Sequence, residues 1–204
     1  MTETIRDEEL MLAYQQGDMH AMDELVRRYK NPVYSFIYRL SKTHADAQDI
    51  AQEVFLRMHQ ARSAYRPSGK FSTWIFAIAH NLFVSTYRKN KWFVLWPRKH
   101  DQPDEFVEFE SPDSSPACQA QRDDMSEAVR KAITQLPFLQ KEALCLREYQ
   151  QLDYCEIAKV MHKPVGTIKT LIFRAREKLK IKLSVYMQES VPHDTTQDAG
   201  GSHE

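Results

Sequence analysis

Glycine is scarce in this chain of 204 residues: there are five, and Gly200 and Gly201 fall in a polar tail. A many-stranded fold needs turn glycines at close intervals, so the body of the chain excludes most all-β designs and points to long helical periodicities. Long apolar runs are also missing, and none approaches the roughly 18 residues of a membrane span. The N-terminus MTETIRDEELM is acidic where a secretory leader would be basic, so a cytoplasmic protein is expected. The three cysteines, Cys118, Cys145 and Cys155, are odd in number and form no C-x-x-C pair, which speaks against both a disulfide framework and a zinc ribbon.

Net charge is the last absence, and it is an average. The formal total is zero, yet residues 1–96 carry 13 basic and 10 acidic side chains, while residues 97–124 carry 3 and 8. Residues 125–187 carry 12 and 6, and residues 188–204 carry 0 and 4. Two basic bodies are thus joined by an acidic segment and followed by an acidic tail. The joining segment PRKHDQPDEFVEFESPDSSPACQAQRDD has four prolines and little periodicity, the composition of a flexible linker. The expected fold is all-α: two small helical domains, residues 1–96 and 125–187, joined by a flexible acidic linker at 97–124 and followed by a disordered polar tail at 188–204.

In the first body a short helix is expected over residues 7–16, with Gly17 as its C-terminal cap and Asp18 as the N-cap of the next. In that next helix Met22, Leu25, Val26, Tyr29, Val33, Phe36, Ile37 and Leu40 recur at steps of three and four, a core-facing stripe, and Asn31-Pro32 is expected to interrupt it. The segment THADAQDIAQEVFLRMHQA then divides sharply. Ala47, Ile50, Ala51, Val54, Met58 and Ala61 gather on one side of a helix, and Asp46, Asp49, Glu53, Arg57 and Gln60 on another, with Thr43 placed to cap it.

A break at Tyr65-Arg66-Pro67-Ser68-Gly69-Lys70 leads to KFSTWIFAIAHNLFVSTYRKNKWFVLW, in which Ser72 or Thr73 can cap a helix. This stretch holds eight aromatic residues, a basic end at Arg88, Lys89 and Lys91, and no acidic residue. A surface that attracts phosphates and stacks exposed bases needs that combination. Phe71, Ile75, Ile78, Ala79 and Leu82 form its core stripe, while Asn81 and Arg88 project from another side.

In the second body Ala128, Val129, Ala132, Ile133 and Leu136 share a helical face. They are followed by a helix over QKEALCLREYQ, a shorter one over DYCEIAKVMH, the turn KPVG, and a long helix from Gly166 to about Met187. Short helix, tight turn and basic helix make a helix-turn-helix. In the last helix Ile168, Ile172, Ala175, Leu179 and Leu183 lie in one stripe, and Thr167, Thr170, Phe173, Arg174, Glu177 and Lys178 face away from it. Residues 165–182 contain six basic side chains and one acid, the balance a groove-reading helix requires.

Several segments together carry a resemblance. They are Asp46-Ala47-Gln48-Asp49-Ile50-Ala51-Gln52-Glu53-Val54-Phe55-Leu56-Arg57, Phe71-Ser72-Thr73-Trp74-Ile75, Ala79-His80-Asn81, Leu136-Pro137, Tyr154-Cys155-Glu156-Ile157-Ala158, Pro164 through Thr170, and Arg174-Ala175-Arg176. In this order and spacing they resemble the extracytoplasmic-function sigma factors of the sigma-70 family, over about residues 8–96 and 125–183.

The resemblance implies a non-enzymatic factor, with no catalytic residue, cofactor or metal, that binds core RNA polymerase and promoter DNA to direct transcription initiation. It implies a polymerase-docking face at Asp46, Asp49, Gln52, Glu53 and Arg57. Contacts to an opened minus-10 element would come from Arg66, Lys70, Phe71, Thr73, Trp74, Asn81, Arg88 and Lys89. Major-groove contacts at the minus-35 element would come from Thr167, Lys169, Thr170, Phe173, Arg174, Arg176 and Lys178. It also implies control by an anti-sigma factor, a partner that in this class is often membrane-bound. The pattern departs from the family at Ser85, Thr170 and Leu171, and His162 stands where a turn glycine is frequent.

Two other functions fit parts of the sequence. A helix-turn-helix regulator acting without polymerase leaves the acidic-faced helix and the aromatic stretch unexplained. A metal-dependent enzyme built on His44, His59 and His80, or on Cys155 and His162, lacks any recognised ligand spacing.

Overall fold

A computed structural model describes residues 5–41, 43–93 and 128–189, with side chains assigned except at 88–93 and 185–189. Among the described residues every regular element is a helix: α1 (Asp7–Gln15), α2 (Met19–Leu40), α3 (His44–Ala61), a 3-10 turn (Arg62–Ala64) and α4 (Phe71–Phe93). A helix described over residues 128–134 is α5. It is followed by α6 (Phe138–Glu148), α7 (Tyr154–Met161) and α8 (Val165–Glu189). The linker at 97–124 lies outside the described residues, as does the tail expected at 188–204 except for residues 188 and 189, which end α8.

The expected caps form at most ends. Gly17 takes φ +100 at the end of α1, and the Asp18 carboxylate accepts from the amides of His20 and Ala21. Thr43 accepts from the Asp46 amide to start α3. Asp153 and Glu156 form a reciprocal capping box at α7.

Two local expectations are corrected. α2 runs unbroken through Pro32. A proline inside a helix costs about 3 kcal/mol, but Leu25, Val33, Phe36 and Ile37 on the same helix are each 0% exposed, and each buried side chain of this size contributes about 1.5 to 3 kcal/mol. Packing therefore outweighs the break. At α4, neither Ser72 nor Thr73 is the cap. The helix begins at Phe71, whose amide donates to Glu8 Oε1 at 2.7 Å, and the Thr73 hydroxyl is buried without a hydrogen-bond partner.

In the first half, α1 is tied to α2 by Arg28–Asp7 at 2.6 Å and by the Tyr29 hydroxyl, which donates to Asp7 at 2.5 Å. α2, α3 and α4 close over one core in which Phe36 meets Phe76 edge-on at 5.4 Å and Tyr29 meets Phe71 at 5.0 Å. In the second half α6, α7 and α8 enclose Ala143, Leu146, Ile157, Val160, Ile168 and Ile172. The halves, expected as separate bodies, rest on each other: Phe138 of α6 stacks on Phe83 of α4 at 5.6 Å, and Arg39 of α2 lies 3.8 Å over the Tyr149 ring.

Candidate nucleic-acid interface

α3 presents two different sides. Ala47, Ile50, Ala51, Val54 and Met58 are buried against α2 and α4. Asp46, Asp49, Gln52 and Arg57 are exposed, and Glu53 is half-buried. Glu53 and Arg57 pair at 2.9 Å one turn apart, leaving Asp46 and Asp49 as the acids of that face without a salt-bridge partner among the described residues. Leu56 stands among these polar side chains with 52% of its surface exposed. A large apolar side chain inside a charged rim is the usual make-up of a protein-docking patch. The sequence pattern had passed over Leu56, although its place off the apolar stripe was the available signal.

The strip from Arg66 to Arg88 is assembled by three elements. Gln15 of α1 donates to the carbonyls of Arg62 and Tyr65, fixing the loop before α4. Arg66 is exposed and its guanidinium folds back to the carbonyls of Ser63 and Tyr65 at 3.0 and 2.8 Å. Lys70 is exposed and pairs with Glu156 of α7 at 2.9 Å, which holds its ammonium pKa above the usual lysine value. Trp74 is half-buried against Tyr65 at 4.9 Å, and Asn81 is exposed.

Phe71, a core residue by periodicity and a strand contact by resemblance, is 0% exposed and packs on Tyr29, Tyr65 and Trp74. It supports the strip from below and presents no surface to a ligand. Thr73 is half-buried with its hydroxyl turned inward. Phe76 and Phe83 are likewise buried, so within this strip the described aromatic surface open to a base reduces to Trp74 and Tyr87, the latter 45% exposed. Arg88 and Lys89 lie on α4, but their side chains fall outside the described residues.

α8 fulfils its amphipathic pattern. Ile168, Ile172 and Ala175 are buried, and Thr167, Lys169, Thr170, Phe173, Arg174, Arg176 and Lys178 are exposed. Phe173 stands out, 65% exposed. The Thr170 hydroxyl donates to the Gly166 carbonyl at 2.9 Å. Arg176 is held by Glu148 of α6 at 2.5 Å, whereas Lys169, Arg174 and Lys178 have no acidic partner at salt-bridge distance among the described residues. α7 ends at His162, which takes the left-handed conformation at φ 51, the common helix C-terminal geometry, adopted here by a residue with a side chain.

Among the described residues no group of three or more His, Cys, Asp or Glu side chains is placed to hold a metal ion. His44 is bonded to Tyr34, His59 to Tyr14, and His80 to Glu142. Burial pushes the Cys145 thiol up to about 12, leaving Cys155 as the exposed thiol of the described pair. No helix among these residues is long and apolar enough to cross a membrane.

Comparison with known proteins gives the surfaces a context. A sigma-70 region 2 family model matches residues 25–93, and a sigma-70 region 4 model matches residues 126–179. The RNA polymerase sigma-H factor of Pseudomonas aeruginosa is 34% identical over 195 residues, covering 91% of this chain and 97% of the relative. The ECF RNA polymerase sigma-E factor of Escherichia coli is 33% identical over 192 residues, covering 90% and 97%. The fold is similar to CnrH, solved with the cytosolic domain of CnrY, at a TM-score of 0.64 and 21% identity over 88% of this chain and 97% of that one. It is also similar to the sigma factor RpoE of Bartonella quintana, solved with the anti-sigma factor NepR, at 0.66 and 22% over 80% and 96%. The chain therefore belongs to the extracytoplasmic-function sigma factors of the sigma-70 family. Its function is that of a sigma factor, which binds core RNA polymerase and directs promoter-specific initiation.

Proposed function

We propose that three separate faces divide this task. The outward side of α3, with Asp46, Asp49, Gln52, Glu53, Arg57 and the exposed Leu56, docks on core polymerase. The loop from Arg66 to Lys70 and the helix α4, with Thr73, Trp74, Asn81, Arg88 and Lys89, holds the opened minus-10 strand. The outer side of α8, with Thr167, Lys169, Thr170, Phe173, Arg174, Arg176 and Lys178, enters the major groove at the minus-35 element. Phe71 is removed from the contact set and assigned to support.

The observation that carries this reading is the solvent face of α8: every side chain named for it is exposed, on a helix whose opposite side is anchored in the core. Unstacking a base costs a few kcal/mol, and stacking on an aromatic ring returns about 1 to 3 kcal/mol per base, so Trp74 and Tyr87 can hold what polymerase helps to open. The division fits domains at residues 1–96 and 125–187, with the acidic segment between them acting as a tether. The chain works in the cytoplasm by binding and performs no catalysis. An anti-sigma protein controls it, a proposal supported by the partner-bound state of the two fold relatives.

A regulator acting without polymerase would have no use for the α3 face. Selecting bound promoters from random DNA with reconstituted holoenzyme tests the assignment. Enriched pairs of elements at fixed spacing are expected, and enrichment of a single element by the free chain would support the polymerase-independent alternative.

A further inference from the structure

The two halves meet around one buried hydrogen-bonded pair. His80 Nδ1 of α4 and Glu142 Oε1 of α6 lie 2.5 Å apart, with His80 8% and Glu142 0% exposed. The second oxygen of this carboxylate, Oε2, is buried and has no hydrogen-bond partner. Around the pair, Phe138 stacks nearly parallel on Phe83 and on Tyr87, at 5.6 and 5.9 Å. The His162 ring lies 6.0 Å from that of His80. Further out are Lys70–Glu156 at 2.9 Å and the Gln150 side chain, which donates to the Pro32 carbonyl at 3.5 Å.

This arrangement is incompatible with holding both promoter elements. Elements at minus-10 and minus-35 are separated by about 25 base pairs, or about 85 Å at 3.4 Å per pair. α8, at 1.5 Å per residue, is only about 38 Å long and follows directly on α7, which is packed against α4. Closure also occupies Lys70 and one side of Tyr87. The closed form must therefore open before the chain can work on a promoter, and the chemistry at its centre is suited to opening. A buried carboxylate with an unpartnered oxygen is poorly satisfied while dry and fully satisfied by water once the halves part, whereas apolar side chains in the same place would favour permanent closure.

We propose that His80 and Glu142 form a reversible latch between the two halves, which keeps the free chain closed but leaves the closed form weak enough for core polymerase to open. The proposal rests on α4 and α8 being the two promoter-binding faces. In the latch His80 supplies the partner that makes burial of Glu142 tolerable, and the Phe138 stack supplies the apolar contact. Removing His80 alone strands the carboxylate and drives opening. Replacing both members with leucine removes the reason to open.

The test measures the distance distribution between dyes at Met19 and Ser184 on the full chain by single-molecule energy transfer, alongside affinity for core polymerase. His80→Ala is expected to shift the equilibrium toward long distances by about a hundredfold. The double variant His80→Leu/Glu142→Leu is expected to favour short distances and to weaken binding to core polymerase by at least about fivefold. Circular dichroism confirms that each variant is folded. A double variant that opens the halves, or distance distributions unchanged in both variants, would overturn the latch. Binding of a single-stranded minus-10 oligonucleotide is read separately. If the distances move as stated but the oligonucleotide binds every variant alike, the latch stands and the strand-binding assignment of α4 fails.

Discussion

Glu8 of α1 accepts a hydrogen bond from the backbone amide of Phe71 at 2.7 Å, across 63 positions of chain. The first turn of α4 is thus completed by the first helix of the fold, and the ring of Phe71 is sealed beneath it. Ser72 and Thr73, the residues whose type fits a cap, do not act as one. The alignment of the strand-facing helix therefore depends on α1, which itself has no place in the proposed interface.

Glu8→Ala should lower stability by about 1 kcal/mol, the usual value of a lost helix cap. Urea unfolding followed by circular dichroism measures it. Ser72→Ala should stay within about 0.5 kcal/mol of the parent. The opposite ranking would return the capping role to the local serine.

Acid stability should depend on Glu24. Hydrogen bonds from Arg27 and Arg28 hold its carboxyl down to about 2, against 4.5 in an ordinary setting. A group whose pKa is lowered on folding stabilises the fold above its unfolded value and loses that contribution as pH falls through the folded one. The contribution of Glu24 is therefore full above its ordinary value of 4.5, falls progressively below it, and is nearly gone at about pH 2. Comparing Glu24→Gln with the parent at pH 6 and pH 2 by thermal unfolding should show a gap at the higher pH that closes at the lower. The gap should be modest, because the group is solvent-accessible and screened.

The docking face should respond both to charge and to a lost apolar anchor. Asp49→Lys is expected to weaken core polymerase binding while leaving the circular dichroism spectrum unchanged, since Asp49 is exposed. Leu56→Ala should cost about 1 kcal/mol or more if it occupies the centre of the patch. Fluorescence anisotropy against core polymerase reads both, and unchanged affinity in both variants would dismiss the α3 assignment.

On α8, Arg174→Ala should reduce minus-35 discrimination by about 1 to 3 kcal/mol if the guanidinium reads a base. Lys178→Ala should instead weaken all sequences evenly and reduce the salt dependence, as a phosphate contact does. Competition binding of holoenzyme to matched and mutated elements separates the two. Equal loss on every sequence for Arg174→Ala would make it a phosphate contact.

Much of this was legible from one chain. Stripes such as Val54 and Met58 on α3, or Ile168 and Ile172 on α8, follow from periodicity alone, and caps at Asp18 and Thr43 follow from residue type. What escaped was non-local. Pro32 sits inside a helix because residues distant in sequence bury its flanks, and Glu8 caps a helix that it does not precede. Nothing in the chain's local pattern pairs His80 with Glu142, 62 positions apart, and each becomes the other's partner only where the halves meet. The aromatic stretch around α4 misled in the same way, since periodicity does not say how many sides of a helix will be covered. Periodicity had rightly put Phe71 in the core stripe, but Phe76 and Phe83 are covered as well, and Trp74 and Tyr87 are the described rings left near the surface.

The most direct measurement is in vitro transcription by purified core RNA polymerase with and without this chain, on a template library drawn from the source genome. Discrete transcripts that appear only when the chain is added, and that disappear with Asp49→Lys, are the result expected of a sigma factor using the α3 face. An identical transcript pattern with and without the chain would contradict that function.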